Sequence, residues 1–333
     1  MTLDIIVPHY KESWDVCKYL FDSIAMQRGI DFKDINVLMI NDGSLEECFL
    51  SYADTEAMQT YPFKVYFIAK EHAGVSAARN YGLFFSKADY VMFCDADDGF
   101  LNNYGLHLIF KAMSEGSDYI CSAFVEETFD SNGNPAIVPH NQDLTFMHGK
   151  AYKRSFLMDN NIRFDPAMTV HEDGYFNSIA CVVAKVDGKY REISTPIYLW
   201  RWNENSVVRS NREDFVLRTY PQLMQTRIGI SEQLRDRGYE AEFETSVVLT
   251  VLNSYYDMQK TKNRTVENER NRREAESAFK KFYNQFKRTF QNCTNAKIAE
   301  VADISRANAR KNGFLMESED LRTWLKHIER EVI

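Results

Sequence analysis

Four short apolar runs, starting near residues 3, 36, 64 and 90, organise the front of this 333-residue chain. They read LDIIVP (3–8), NVLMI (36–40), KVYFIA (64–69) and YVMFC (90–94). Between them lie stretches with apolar residues at helical spacing, over 13–27 (Ser13 as a cap), 46–58 and 74–87. A short apolar run cannot bury both faces alone. Repeated strand–helix–strand units solve this by stacking parallel strands between helices. The pattern therefore predicts a doubly wound, mostly parallel α/β sheet.

The rhythm changes after residue 118. A strand is expected over 118–127, a turn-rich excursion around Asn132-Gly133 over 129–141, a short helix near 153–159 and a helix from about 171 to 184. Residues 190–200 hold another apolar run. From about 214 onward the chain reads as helical. Val216, Leu217, Tyr220, Leu223, Met224 and Arg227 form one stripe, and Val247, Val248, Val251, Leu252 and Tyr255 a second. Phe279, Phe282, Tyr283, Phe286 and Phe290 form a third, and a helix capped by Ser318-Glu319 carries Leu321, Trp324, Leu325 and Ile328. The division expected is an α/β domain over 1–213 and an α-helical C-terminal region over 214–333.

Charge is distributed unevenly. The net charge of −8 combines −12 over residues 1–215 (19 Lys+Arg, 31 Asp+Glu) with +4 over 216–333 (21 and 17). Within 260–288 there are ten basic and four acidic residues. An acidic front half suits a metal-dependent site. The basic stretch suits either an anionic partner or a solvated helix face. No run of apolar residues is long enough to span a bilayer, and the first residues lack the pattern of a secretory leader. The six cysteines include no CxxC pair, so free thiols in a reducing cytoplasm are the reading.

In open parallel sheets, ligands bind beyond the carboxyl ends of the strands. Those ends are polar here. The first continues as Pro8-His9-Tyr10-Lys11-Glu12 and the second as Asn41-Asp42-Gly43-Ser44. A carboxylate such as Asp42 can accept from a ribose hydroxyl or a base N–H, or can simply cap a helix. After the third run, residues 71–80 (EHAGVSAARN) offer small residues, a helix start and the fork of Arg79, all suited to phosphate. The fourth run ends in Asp95-Ala96-Asp97-Asp98. Three carboxylates in four residues repel one another, and hard oxygen donors suit Mg²⁺ or Mn²⁺. A second acidic cluster, His171-Glu172-Asp173, opens a helix and could supply a general base. Residues 200–209 (WRWNENSVVR) place arginines and a serine in a loop that could cover a pyrophosphate.

Taken in order, VPHYKE, NDGS, AGVSAARNYGL, DADD and HED over residues 2–212 resemble the family 2 glycosyltransferases of the GT-A fold. The resemblance implies a nucleotide-sugar donor, usually UDP-linked, a divalent cation (Mn²⁺ or Mg²⁺) and transfer with inversion. Carried over by position, it implies that Pro8, Tyr10, Glu12 and Asp42 line the nucleoside pocket. Arg79 and Asn80 would lie near the ribose and diphosphate. Asp95 and Asp97 match the DxD motif, with Asp97 the direct metal ligand. Asp173 matches the catalytic base. Lys150, in HGKAYKR, would lie on the acceptor and donor side, and Arg209 would close over the diphosphate. His148, Glu172 and Trp202 are acceptor-side candidates.

A saccharide is the default acceptor. A hydroxymethylated DNA base is the alternative, reached through the basic 260–288 region with its interleaved aromatics. Two other classes stay open: a nucleotidyltransferase using the same acidic strand end, and a non-catalytic nucleotide-sugar binding protein. The missing GxGxxG and Walker-type loops count against the first.

Overall fold

The computed structural model describes residues 1–44, 56–130, 132–203, 215, 217–260, 266–311 and 318–330. The chain forms two compact units, Met1–Asn203 and Glu204–Ile333.

In the first unit, β1 (Leu3–His9), β2 (Ile35–Asp42), β3 (Lys64–Lys70) and β4 (Tyr90–Phe93) are parallel, in the order β3-β2-β1-β4. In the central β1, Ile5, Ile6 and Val7 are all fully buried, as a strand covered on both faces requires. The helices Trp14–Ala25 and Val75–Phe85 fall where the apolar spacing placed them. The second of these presses on the sheet at Gly82, where an added Cβ would lie 2.4 Å from Ile6 Cγ2.

Beyond β4 the sheet is mixed. After β5 (Gly99–Phe100) and the helix Gly105–Ser114, β6 (Tyr119–Phe129) turns back through an Asp130-centred loop into β7 (Pro135–His140). The Asp130 carboxylate accepts from the backbone of Asn132 and Asn134, both at 2.8 Å. The turn-rich excursion is thus a β-hairpin. β8 (Lys150–Lys153) pairs antiparallel with both β4 and β6, and β9 (Tyr190–Trp200) runs parallel to β6. The whole is a nine-stranded sheet among the described residues, parallel from β3 to β4 and mixed beyond.

The second unit contains the helices Tyr220–Asp236, Glu240–Lys260, Val266–Asn292, Asn295–Lys311 and Ser318–Arg330 among its described residues. Its stripes are core. Val247, Val248, Val251 and Leu252 are buried, and Phe279 stacks on Trp324 at 4.6 Å. Phe279, Phe282, Tyr283 and Phe286 are 0–3% exposed. This corrects the basis for a DNA partner, because these aromatics fill the interior and cannot stack on bases. No described helix is long and apolar enough to cross a membrane.

Candidate active site

The parallel register sets His9 beside Asn41 and Asp42 beside Lys70, so the ends of β1, β2 and β3 form one edge. Asp42 is almost fully buried there. It accepts from the backbone N–H groups of Ala73 (3.0 Å) and Gly74 (2.8 Å), and it pairs with Lys70 and with His72 at 2.8 Å. Burial acts to raise its pKa, but the Lys70 ammonium and the two N–H groups hold it below the usual carboxylate range. Gly43 makes this approach feasible. Its φ is +78°, and a Cβ would fall 2.7 Å from the His72 nitrogen. The Tyr10 ring, partly exposed, stacks on His72 at 4.3 Å. Pro8 is half-buried in β1 just ahead of it. Glu12 folds back to accept from the Tyr10 N–H at 2.6 Å, and burial pushes its carboxyl up. A carboxylate beside an aromatic ring at a sheet edge can take the N–H and the face of a nucleobase.

The acidic turn after β4 separates its three carboxylates. Asp95 accepts from Arg79 at 2.9 Å; burial opposes its ionisation, but Arg79 keeps its pKa low. Asp97 accepts from the Asn203 amide at 2.8 Å, yet burial and the nearby Asp95 charge push it up. Asp98 is 1% exposed and accepts from the Tyr198 hydroxyl and the Arg201 N–H, each at 2.9 Å. Burial raises it well above the ordinary range, with Asp97 and Asp95 adding to the effect. His148 lies 3.6 Å from Asp98, and its ring is stacked against both Phe146 and Tyr198. Burial pushes its pKa down to about 3, so it is a neutral imidazole. Ligand atoms of Asp95, Asp98 and His148 lie within 4.8 Å of one another.

On the far side of Arg79 from Asp95, Glu172 and Asp173 occupy the first turn of the helix Glu172–Val186. His171 precedes it in a left-handed conformation, φ 63°. Asp173 accepts from the Met147 N–H at 3.1 Å and from Arg79. Burial pushes its pKa well up against the pull of Arg79, and the Glu172 and Asp95 charges push the same way. Arg79 is 3% exposed, and its terminal nitrogens contact Asp95, Glu172 (3.0 Å) and Asp173. It therefore sits among these carboxylates, where the sequence placed it at the ribose and diphosphate.

Other candidates also moved. The Asn80 carboxamide is taken up by Phe164, donating to its carbonyl (2.8 Å) and accepting from its N–H (3.0 Å). It braces the 160s segment from both ends of its amide. Lys150 is fully buried, and its ammonium donates to the carbonyls of Phe146 (2.6 Å) and His148 (3.3 Å). This corrects the expectation that it contacts donor or acceptor. An ammonium enclosed in protein must spend its protons on the nearest carbonyls. His148 and Glu172 are turned inward as well. Trp202 remains at the surface, its ring edge-on to Phe129 at 4.8 Å and its backbone N–H donating to Glu127 at 2.8 Å. Arg209 lies outside the described residues.

Tyr198, Arg201 and Asn203, which hold the acidic turn, were not singled out for that task. Tyr198 sits in an apolar run with no polar pattern around it, so only the fold reveals its hydroxyl between the Asp95 N–H (3.1 Å) and Asp98.

Residues 4–169 match the model of glycosyl transferase family 2. The chain belongs to this family. It is 26% identical over 274 residues to glycosyltransferase GlyA of Streptococcus pneumoniae, covering 75% of this chain and 37% of GlyA. Over 254 residues it is 24% identical to the putative glycosyltransferase EpsH of Bacillus subtilis, covering 69% and 71%. The chain thus spans little more than a third of GlyA, and a tenth of the teichoic acid biosynthesis protein GgaB. Among solved structures, S. aureus TarS 1-349 in complex with UDP aligns with a TM-score of 0.60 at 16% identity, covering 94% of this chain and 89% of that one. The likeness shows the GT-A-type fold: a mixed α/β sheet followed by a helical C-terminal region.

Proposed function

We propose that the chain transfers a sugar from a nucleotide-diphosphate sugar to an acceptor hydroxyl with inversion, using Asp173 as general base. One observation carries this reading: a single guanidinium, Arg79, touches both Asp95 of the acidic turn and Asp173, although 78 residues separate those carboxylates. The DxD-type turn and the proposed base are therefore held within reach of one side chain.

A UDP-linked donor is favoured by the Tyr10–Asp42 edge, and solved TarS structures contain UDP and UDP-GlcNAc. A uracil ring could lie against the Tyr10 wall beside the Asp42 edge. The residues fit a divalent cation. Asp97 and Asp98 are raised by burial beside like charges, a cost that a cation removes, and the donors are hard oxygens. Asp95 and Asp97 would hold it. Bound there, Mn²⁺ or Mg²⁺ supplies positive charge to the departing diphosphate.

The protein's own residues do the rest. Asp173 keeps a lone pair on each oxygen beyond its bonds to Arg79 and Met147. It accepts the acceptor's hydroxyl proton as that oxygen bonds to the anomeric carbon. The bond to the diphosphate oxygen breaks on the opposite face, and the electron pair leaves with the nucleotide. This single displacement needs no enzyme nucleophile, as in inverting glycosidases. The acceptor of this reading is a saccharide, with Trp202 the surface aromatic on offer to it.

The test is a thermal-shift panel of nucleotide sugars with and without Mn²⁺, followed by turnover of Asp173→Asn. Stabilisation by UDP-sugars together with a turnover loss of about 10²-fold or more supports the reading. Near-normal turnover of Asp173→Asn removes Asp173 from the role.

A further inference from the structure

We infer that Arg79 is a positioning residue that locks the general base to the acidic turn, and that it does not bind the donor's diphosphate. The inference rests on reading Asp173 as the base.

The geometry leaves Arg79 little to offer a ligand. It is 3% exposed. One terminal nitrogen donates to both Glu172 and Asp173, and the other to Asp95. Its guanidinium lies over the Phe164 ring, 5.3 Å from the centroid, and its Nε is buried with no acceptor. A buried fork that gives three of its five N–H groups to carboxylates on two distant segments is a brace between structural elements.

Its neighbours on the same helix serve the same end. Ser76 donates to the Met168 carbonyl at 3.0 Å, and Asn80 clamps Phe164 through two hydrogen bonds. Residues 76, 79 and 80 therefore fasten three successive points of the segment that runs from 164 to the base at 173. The helix itself is held by Gly82 against Ile6 and Ile40 of the central strands. Through this chain of contacts the base takes its position from β1 and β2, the strands whose ends form the nucleoside edge. Arg79 is the member of the set that carries charge, and it alone bridges to Asp95.

A lysine cannot replace it, because one ammonium on a flexible stem cannot hold three carboxylates at fixed angles. Without the guanidinium, Asp173 is free to shift relative to the reacting carbon, and a displacement of about 1 Å costs about 10²-fold in rate. Three acidic groups are also left without their cation, so Mn²⁺ is held at least as tightly as before.

The experiment compares wild type, Arg79→Met and Arg79→Lys by Mn²⁺ titration (electron paramagnetic resonance), by UDP titration in saturating Mn²⁺ (calorimetry) and by steady-state kinetics. The result expected for Arg79→Met is unchanged or tighter Mn²⁺ binding, UDP affinity within about threefold and kcat down about 10²-fold at little change in donor KM. Arg79→Lys should recover only part of kcat, and it keeps the test open if Arg79→Met does not fold. UDP affinity falling tenfold or more in either folded variant would make Arg79 a diphosphate ligand and overturn the inference. So would wild-type kcat in either. Asp173→Asn, measured in parallel, separates the two readings: if it retains turnover, the base assignment fails, whereas the UDP and Mn²⁺ titrations still report whether Arg79 contacts the donor.

Discussion

Replacing His140 with glutamine should remove most of the alkaline sensitivity of the first unit. His140, at the end of β7, lies with Nε2 3.0 Å from the buried Glu126 and Nδ1 3.4 Å from Asp143. Its ring stacks flat on Phe124 at 4.4 Å. The Asp143 and Glu126 carboxylates raise its pKa from the ordinary 6.5 to about 9, against the opposing effect of burial. A group whose folded pKa lies above its unfolded value gives stability that is complete below the unfolded value. That stability is lost as pH rises through the folded value. Here the window runs from about 6.5 to about 9. At 1.36 kcal/mol per pH unit the shift corresponds to a ceiling of about 3 kcal/mol, and about 2 kcal/mol remains once solvent access to Asp143 is allowed for. Urea unfolding at pH 6 and pH 9.5, followed by circular dichroism, would read it. Wild type should lose about 2 kcal/mol more than His140→Gln across that interval. The imidazole should titrate near 9 in an NMR pH series. Parallel pH profiles for the two proteins, or an imidazole titrating near 6.5, would refute the reasoning. The effect bears on the site because Asp143 also accepts from the Thr145 and Phe146 N–H groups, one residue before the Met147 N–H that holds Asp173.

Two further outcomes are open to measurement. Gly82→Ala should destabilise the protein by about 1–3 kcal/mol in urea unfolding, because its Cβ meets Ile6 at a distance that forces a core shift; unchanged stability would show that helix and sheet are not in the contact described. Asp97→Asn should abolish Mn²⁺-induced thermal stabilisation while leaving the metal-free protein as stable or more so, since it deletes a charge that burial and Asp95 disfavour. A variant that kept the Mn²⁺ response would exclude Asp97 as a ligand.

What could be read along the chain was whatever depends on local order. Apolar runs separated by helical spacing specify strands and helices. The rule that ligands gather at the carboxyl ends of parallel strands then makes Tyr10, Asp42 and Asp95–Asp98 candidates before any coordinates. Asp173 was visible as an unusual acidic helix start. What the sequence could not settle was which charges meet. Arg79 reads as a phosphate fork and Lys150 as a ligand residue, because a cation's partners are chosen across the fold. One is enclosed by three carboxylates from two distant segments, and the other by carbonyls of its own loop. Tyr198 gives no local sign of its task at all. The aromatics of 279–286 look the same whether they face solvent or core, and burial alone shows that they face the core. Periodicity is a property of neighbours in sequence, whereas electrostatic pairing and exposure belong to neighbours in space.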